Sequence, residues 1–404
     1  MTQGWKEVPL GEVCRVVPGF AFKSKDWCDN GIPVVKIKNI GSDRSVDMSS
    51  SDHVPKHLLT EKIEKFVLRD GDILIAMTGA TAGKVGKLRT SRPCLLNQRV
   101  AKIEPVSADK NFIWSVVSSD RYQDIFFRLA DGAAQPNMSG VQIEGVKVLL
   151  PPSSTQERIA SILSAYDDLI ENNTKRIKIL EEMARALYRE WFVHFRFPGH
   201  EKVKLVDSAM GKIPEGWRAL SIKDVADNFD RKRKPLSKKQ RATMQGIYPY
   251  YGAAKVFDYV NDYLFDGRYL LIAEDGSVTT TDRKPVLQMA TGKFWVNNHT
   301  HILQGCSPFS TDFVYMTLGH VDITPYITGA AQPKVTQANM NRIPVVGPPV
   351  GILGRFDDHV GPMLAQVDLL GDKNAVLRQA RDLLLPKLIS GQINVDELDL
   401  PEAA

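Results

Sequence analysis

The stretch that most limits what this chain can fold into runs from Pro151 to Pro198. It begins PPSSTQERIASILSAYDDLIENN and ends ALYREWFVHFRFPG. Ser154 followed three residues later by Glu157 reads as a capping box, and Pro151 and Pro152 oppose extension upstream. Apolar residues then recur at Ile159, Ile162, Tyr166, Leu169, Ile177, Leu180, Ala184, Leu187 and Trp191, with Asn173 in the one vacant place. Steps of three and four, with a single four-four step, describe a coiled-coil seam with one stutter. At about 1.5 Å per residue the helix is roughly 55 Å long. One apolar stripe cannot bury itself, so the helix needs a partner.

A matching run lies near the C-terminus: Phe356, Val360, Met363, Val367, Leu370, Asn374, Leu377, Arg381, Leu384 and Leu388, with Ala380 as the alternative to Arg381. Periodicity alone leaves two ordinary core helices and one long helical pair both open.

The chain also repeats itself. Trp5–Val13 answers Trp217–Val225 at an offset of 212, and Asp70-Gly71 before an apolar strand answers Asp266-Gly267 at 196. Gly-Ala-Ala-Gln-Pro occurs twice, from Gly132 and from Gly329, at an offset of 197. Val148–Pro152 answers Val345–Pro349 at the same offset, and Tyr166-Asp-Asp answers Phe356-Asp-Asp. Five matches in one order indicate a duplication. Each copy opens with a strand-rich globule and ends in its long helix. Strands are expected over 34–38, 73–77, 99–103 and 147–150, and over 269–273, 294–297, 301–303 and 344–346. One helix is expected per copy, near 111–129 and 311–318, and 196–216 reads as an aperiodic linker.

A chain of 404 residues has room for two or three full cores. Its net charge of +5 is mild for this length and only hints at a polyanionic partner. Cys14, Cys28, Cys94 and Cys306 form no CxxC pattern, so neither a zinc site nor a disulfide framework is indicated. No signal peptide and no membrane-length apolar run is evident, and a cytoplasmic location is expected.

At this point the residues resemble the DNA-specificity subunits of type I restriction–modification enzymes. The likeness rests on the globule–helix–globule–helix order, Trp191-Phe-Val-His-Phe195, Gly211-Lys-Ile-Pro-Glu-Gly-Trp217, the twin Gly-Ala-Ala-Gln-Pro segments, and Pro-Pro-x-x-x-Gln156-x-x-Ile159. One departure is that the second helix opens Pro349-Val-Gly-Ile-Leu-Gly354 without the Gln, and two glycines weaken its start by about 1 kcal/mol each. The resemblance implies an α+β chain: two tandem target-recognition globules, mixed α/β and strand-rich, separated by two long antiparallel coiled-coil helices with pseudo-two-fold duplication. The implied domains are a first recognition domain (1–150), a first spacer helix (151–195), a linker (196–216), a second recognition domain (217–347), a second spacer helix (348–392) and a tail (393–404). The partners implied are double-stranded DNA with a bipartite site, two methyltransferase subunits, and restriction and translocation subunits, with no membrane. Asn173 lies two residues before the middle of its seam, at 175, and Asn374 two residues after the middle of its own, at 372. In an antiparallel pair they are expected to meet and fix register.

Candidate DNA contacts follow from residue type. Arg231, Lys232, Arg233 and Lys234, continued by Lys238, Lys239 and Arg241, form the densest basic run and suit phosphate contact, although such runs also occur as solvated loops. Lys84, Lys87, Arg89 and Arg92 are the first-copy counterpart. The small-residue loops carrying Thr78 and Thr81, and Ser277, Thr279 and Thr280, allow close backbone approach to a polyanion. The first is not a nucleotide-binding P-loop: only three residues separate Gly79 from Gly83, and Val85 stands where Ser or Thr must hold magnesium. Gln135 and Gln332 could pair with adenine. Their identical surroundings favour a shared structural role instead. Base reading is expected where the copies diverge, as at Gln98 and Arg99 against His299 and Thr300. His299 and His301 alternate along a strand and are not expected to form a metal pair.

No methyltransferase, helicase, hydrolase or clustered-carboxylate nuclease pattern is found, so the chain is expected to be non-catalytic and to bind no cofactor or metal. S-adenosylmethionine, ATP and magnesium belong, on the resemblance, to partner subunits. Glu171, Lys175, Lys178, Glu182, Arg378 and Asp382, on the outer helix faces, are the docking candidates. A methylation-only or differently organised system, and a two-headed protein-binding scaffold, are the alternatives.

Overall fold

A computed structural model describes residues 4–130, 137–329 and 332–398. By contact the chain falls into two units, one made of Met1–Asn172 with Lys373–Ala404 and the other of Asn173–Asp372. The first long helix is Ser153–Tyr188, continued by a π turn over Arg189–Val193, and the second is Val350–Ile389. The helices do not form a unit of their own. Each unit contains one globule and one half of each helix.

In the first unit, Lys6–Pro9 pairs antiparallel with Lys147–Leu150. A four-stranded sheet runs in the order Cys14–Pro18, Val100–Pro105, Ile73–Ala76, Val85–Lys87. A second runs Asp52–Val54, Ile32–Val35, Cys94–Leu96, Val67–Leu68, with its two middle strands parallel. Ile73–Ala76 is fully buried, which is why it reads Ile-Leu-Ile-Ala without alternation. The single helix expected over 111–129 is two helices, Lys110–Ser118 and Asp120–Ala130. Ser119 between them is extended (φ −67°, ψ 150°). Its hydroxyl donates to the Val116 carbonyl and its own carbonyl accepts from the Tyr122 N–H, closing one helix and opening the next.

The helix halves in this unit run antiparallel, since partners fall in number on one as they rise on the other. Thr155 meets Asp396 at 3.2 Å, Asp167 meets Arg381 at 2.6 Å, and the Asn374 amide donates to the Ile170 carbonyl at 3.4 Å. The seam differs from the expected one. Leu163 and Ile170 are buried, whereas Leu169 is 51% exposed. A straight helix drifts about 20° per heptad from a 3.5-residue repeat, which carries position 169 outward and its neighbour inward. The helix also starts at Ser153, so Ser154 lies inside the first turn rather than at the cap. Gln156 ties this end down: its amide donates to the Pro151 carbonyl, and its oxygen accepts from the Asp109 N–H.

In the second unit, Arg218–Ser221 pairs with Pro344–Gly347, as the edge pair of the first unit does. One six-stranded sheet follows, in the order Ala226–Asn228, Thr300–Gly305, Phe265–Ala273, Leu287–Val296, Gln245–Tyr251, Val256–Val260. Leu287–Val296 pairs antiparallel with the central strand and parallel with Tyr250-Tyr251, thus replacing two short strands of the first globule. The linker is more ordered than expected, because Leu205–Ser208 and Gly211–Pro214 form a hairpin. Thr311–His320 is the expected helix. At its base the two long helices meet through rings: Phe356 lies 4.8 Å from Phe192 and 6.0 Å from Trp191, and Phe192 lies 5.2 Å from Phe313. Val350 begins the second helix directly after Pro348-Pro349, despite Gly351 and Gly354, with Leu353 and Phe356 buried beneath it. Among the described residues no helix is long and apolar enough to cross a membrane.

Candidate nucleic-acid interface

Both globules build one backbone frame around the end of the central strand. In the first, the Met77 N–H donates to the Arg99 carbonyl and the Met138 N–H to the Met77 carbonyl, each at 2.9 Å. In the second, Glu274 donates to His299 at 3.0 Å and Val335 to Glu274 at 2.9 Å. Arg99 and His299 therefore occupy the same exposed turn. The expected pairing of Gln98 and Arg99 with His299 and Thr300 is one residue out of step, because Thr300 is a fully buried strand residue. Gln98-Arg99 answers Asn298-His299.

Of the second Gly-Ala-Ala-Gln-Pro segment, Gly329, Gln332 and Pro333 are described, and they lie between the paired strands Ile327–Thr328 and Lys334–Val335. Gly329 has φ +87°, and a Cβ there would fall 2.4 Å from the Gln332 carbonyl oxygen, so only glycine fits. Gln332 is exposed. Gln135 lies outside the described residues. The bridges Thr78–Asn137 and Asp275–Lys334 again occupy equivalent places.

The loops after the central strands differ. Ser277, Thr279 and Thr280 are exposed. Thr78 and Thr81 face inward, with hydroxyls that are buried and without a hydrogen-bond partner among the described residues. The reason is Gly83 (φ +89°), which brings the first loop against a helix so closely that a Cβ would meet the Phe127 nitrogen at 2.8 Å. Lys84 is half-buried. Lys87 donates to Asn111 at 2.9 Å, and burial, reinforced by Arg89, pushes its pKa down. Arg89 pairs with Glu171 at 3.0 Å and Asp70 at 3.5 Å. Arg92 is exposed.

The basic run divides as well. Arg231, Lys232, Lys234, Lys238 and Lys239 are exposed. Arg241 instead pairs with Asp258 at 2.7 Å, under Tyr250 and Phe257. Arg233 is turned inward, contrary to the expectation for the run. Its guanidinium donates to Glu274 at 2.6 Å and to the Asn298 and Thr300 carbonyls at 3.1 and 2.8 Å. This group is anchored by His301, which is 1% exposed. His301 Nδ1 meets Asp230 Oδ2 at 2.5 Å and Nε2 meets the Val335 carbonyl at 2.7 Å. Both ring nitrogens face acceptors, so both donate and the ring is cationic. Burial opposes that charge, but the Asp230 carboxylate, the Val335 carbonyl and Glu274 outweigh it and raise the pKa. Burial likewise opposes the charges of Asp230 and Glu274, yet His301 for the first, and Arg233 with Lys334 for the second, hold both below the usual carboxylate range. Sequence reading passed over Asp230, Glu274 and the role of His301. The signal was present: in register they answer Pro18, Met77 and Ala101.

A family model described as the type I restriction modification DNA specificity domain matches residues 2–182 and 214–355, and so covers both globules. The chain belongs to this family. Over 420 residues this specificity-domain chain is 22% identical to the type I restriction enzyme MjaIX specificity subunit of Methanocaldococcus jannaschii, a match spanning 98% of this chain and 94% of that one. It is 36% identical to the Haemophilus influenzae protein S.HindORF215P over 145 residues, only about a third of each chain (35% and 36%). The crystal structure of the type I restriction–modification system S subunit from M. genitalium shares the fold, with a TM-score of 0.62, 15% identity and 96% of each chain covered.

The helix residues of the specificity-domain chain are placed unevenly. Lys178 and Glu182 are exposed and lie 3.9 Å apart, and Lys175 and Arg378 are exposed. Glu171 instead faces the first globule through Arg89, and Asp382 lies 2.9 Å from Arg381 and 3.6 Å from Arg44. Those two carboxylates fasten the globule to its helix. Asn173 and Asn374 are both buried.

Proposed function

We propose that this chain is the non-catalytic, sequence-reading subunit of a type I restriction–modification complex. Each globule reads one half of a bipartite DNA site, and the long helices set the spacing and dock two methyltransferase subunits. The observation that carries this is the frame built twice with different side chains at the same exposed turn, Gln98-Arg99 in one copy and Asn298-His299 in the other. A duplicated reader of two unlike half-sites needs this combination, since a shared backbone docks and divergent side chains specify. Arg231, Lys232, Lys234, Lys238, Lys239 and Arg92 would supply phosphate contacts, with affinity that falls as salt rises. Ser277, Thr279, Thr280 and Gln332 lie beside the reading turn of the second copy. Lys175, Lys178, Glu182 and Arg378 remain the docking candidates. S-adenosylmethionine, ATP and magnesium would act on the partner subunits.

The test is a genome-wide map of methylated adenines with the gene present and deleted. Loss of one motif made of two short half-sites around a fixed spacer is expected. An unchanged map, together with a reconstituted complex that fails to bind DNA, would sink the reading.

A further inference from the structure

Beneath the exposed turns of the second globule lies the closed set of Asp230, Arg233, Glu274, His301 and Lys334. Asp230, Glu274 and His301 offer ligand atoms within 4.8 Å of one another, as a metal site would. Their atoms are already engaged. Asp230 Oδ1 accepts from the Ile302 N–H and Oδ2 from His301, while Glu274 Oε2 takes Arg233 and Oε1 takes Lys334 at 3.0 Å. A cation there would have to displace two cationic side chains, so the cluster is an ion-pair network.

What the network joins is more informative than its chemistry. Asp230 immediately precedes Arg231 and Lys232. Glu274 directly follows the central strand and starts the loop of Ser277, Thr279 and Thr280. Arg233 holds the carbonyls on either side of His299. His301 and Lys334 hold the strand that leaves the Gln332 turn. Four separate segments carrying candidate contacts thus converge on one buried imidazolium. The first globule has the same frame but Pro18, Met77 and Ala101 in the places of Asp230, Glu274 and His301; Met77 and Ala101 pack in the apolar core with Met138, and Pro18 is exposed.

We propose that His301, Arg233, Asp230 and Glu274 are positioning residues that lock the basic run, the post-strand loop, the His299 turn and the Gln332 turn into one geometry, so that recognition of one half-site, and of that one alone, depends on this network. The inference rests on the DNA-reading function proposed above. Every titratable group packed around His301 is part of it: Asp230 and Glu274 directly, Arg233 and Lys334 across them, and the exposed His299–Asp275 pair (2.8 Å) at the rim.

The experiment uses the complex of this chain with its methyltransferase subunits. The probes are duplexes carrying the mapped site, intact or with either half scrambled. His301→Gln keeps the ring's approximate size and one donor but cannot carry charge. Its discrimination against the scrambled second half-site should fall by about tenfold or more, while discrimination at the first half-site stays as in wild type. Wild-type discrimination at the second half should weaken as pH rises through the elevated His301 pKa, and the His301→Gln profile should be flat there. Arg233→Lys, which keeps the charge but loses the fork, should fall between the two and serves if His301→Gln does not assemble. A His301→Gln complex with wild-type discrimination and pH profile would overturn the proposal, as would equal losses at both half-sites. A wild-type complex that distinguishes neither scrambled duplex would instead overturn the DNA-reading function itself.

Discussion

At the end of the central strand the two globules share hydrogen bonds and differ in everything those bonds enclose. The first encloses Met77, Ala101 and Met138, which are apolar and need only shape, with Pro18 exposed at the end of its strand. The second encloses Asp230, Glu274 and His301, whose charges are tolerated only because each has a partner. The attachments to the helices, by contrast, mix both chemistries in each unit. The first globule meets its helix half through Arg89–Glu171 and Arg44–Asp382, beside an apolar cluster in which Ile159, Leu163, Leu385 and Leu388 pack with Phe112 and Ile113. The second meets its half through the rings of Tyr188, Trp191, Phe192, Phe313 and Phe356 and through the Arg268–Asp368 ion pair. One backbone plan therefore accepts either chemistry at a given place, provided each buried charge is matched.

The largest effect is expected at the aromatic joint. Phe356 is fully buried and touches four rings, so Phe356→Ala should cost the second unit about 3–5 kcal/mol through lost contacts and the cavity left behind. Denaturant unfolding followed by tryptophan fluorescence should show an early transition, and an unchanged midpoint would mean that the joint is not what holds this unit together.

Transplanting one member of the charged cluster tests the other half of the comparison. Ala101→His places an imidazole beside Met77 and Met138, with Pro18 and Met77 standing where Asp230 and Glu274 supply carboxylates, and should cost about 2–4 kcal/mol from overpacking and an uncompensated polar group. The pH dependence should also have opposite sign in the two globules. The native His301 charge contributes stability fully below about pH 6.5, and that contribution is lost as pH rises through its elevated pKa. The imidazole introduced by Ala101→His, buried without a carboxylate partner, would instead be destabilising whenever protonated, so this variant should recover as pH rises. Thermal melts across pH 5–9 separate the two, and parallel profiles would refute the contrast.

Much of this plan could be read in the sequence. The long helices, the duplication and the apolar central strands were legible because each leaves a period or a repeated word. The first seam was one residue off at Ile162, Leu169 and Leu187, where Leu163, Ile170 and Tyr188 are buried instead, and correct at Ile159, Asn173, Ala184 and Trp191. The inward turn of Arg233 was hidden because a run of like charges looks the same whether one member points to solvent or to a buried carboxylate. Glu274 and His301 were visible only after the copies were set in structural register, since strand and turn offsets differ between them by three residues (197 against 200). The break at Ser119 had a local cue, Ser-Ser-Asp within a helical pattern, which helix periodicity overrode.

The ionic attachment of the first globule should break more gently than the aromatic one. Asp167 accepts from Arg381 at 2.6 Å and from the Trp114 ring N–H at 3.3 Å, and both members of the ion pair are about four-fifths buried or slightly less (20% and 25% exposed). Asp167→Ala should therefore cost about 1–2 kcal/mol, less than a fully buried pair because solvent still reaches it. Asp167→Asn, which can still accept from Trp114, should recover part of the loss. No difference between the two variants would mean that the charge, and not the shared acceptor, accounts for the contact.

The smallest effect on stability, and the clearest division within one stretch of sequence, is expected between neighbours in the basic run. Arg231, Lys232 and Lys234 are exposed, so each Ala variant should change stability by less than about 0.5 kcal/mol. If they contact phosphate, each should lower the slope of log binding constant against log salt by about 1 while leaving discrimination between sequences intact. Arg233→Ala should do the reverse, leaving the salt slope near wild type while lowering stability and second-half discrimination, because its partners are Glu274 and two carbonyls rather than DNA. Salt titrations of the four single variants on one duplex decide the matter. If all four shift the slope alike, the run acts as one solvated patch and the inward turn of Arg233 does not govern binding. If Arg233 alone stands apart, four adjacent residues divide into contacts and support according to which way each side chain turns.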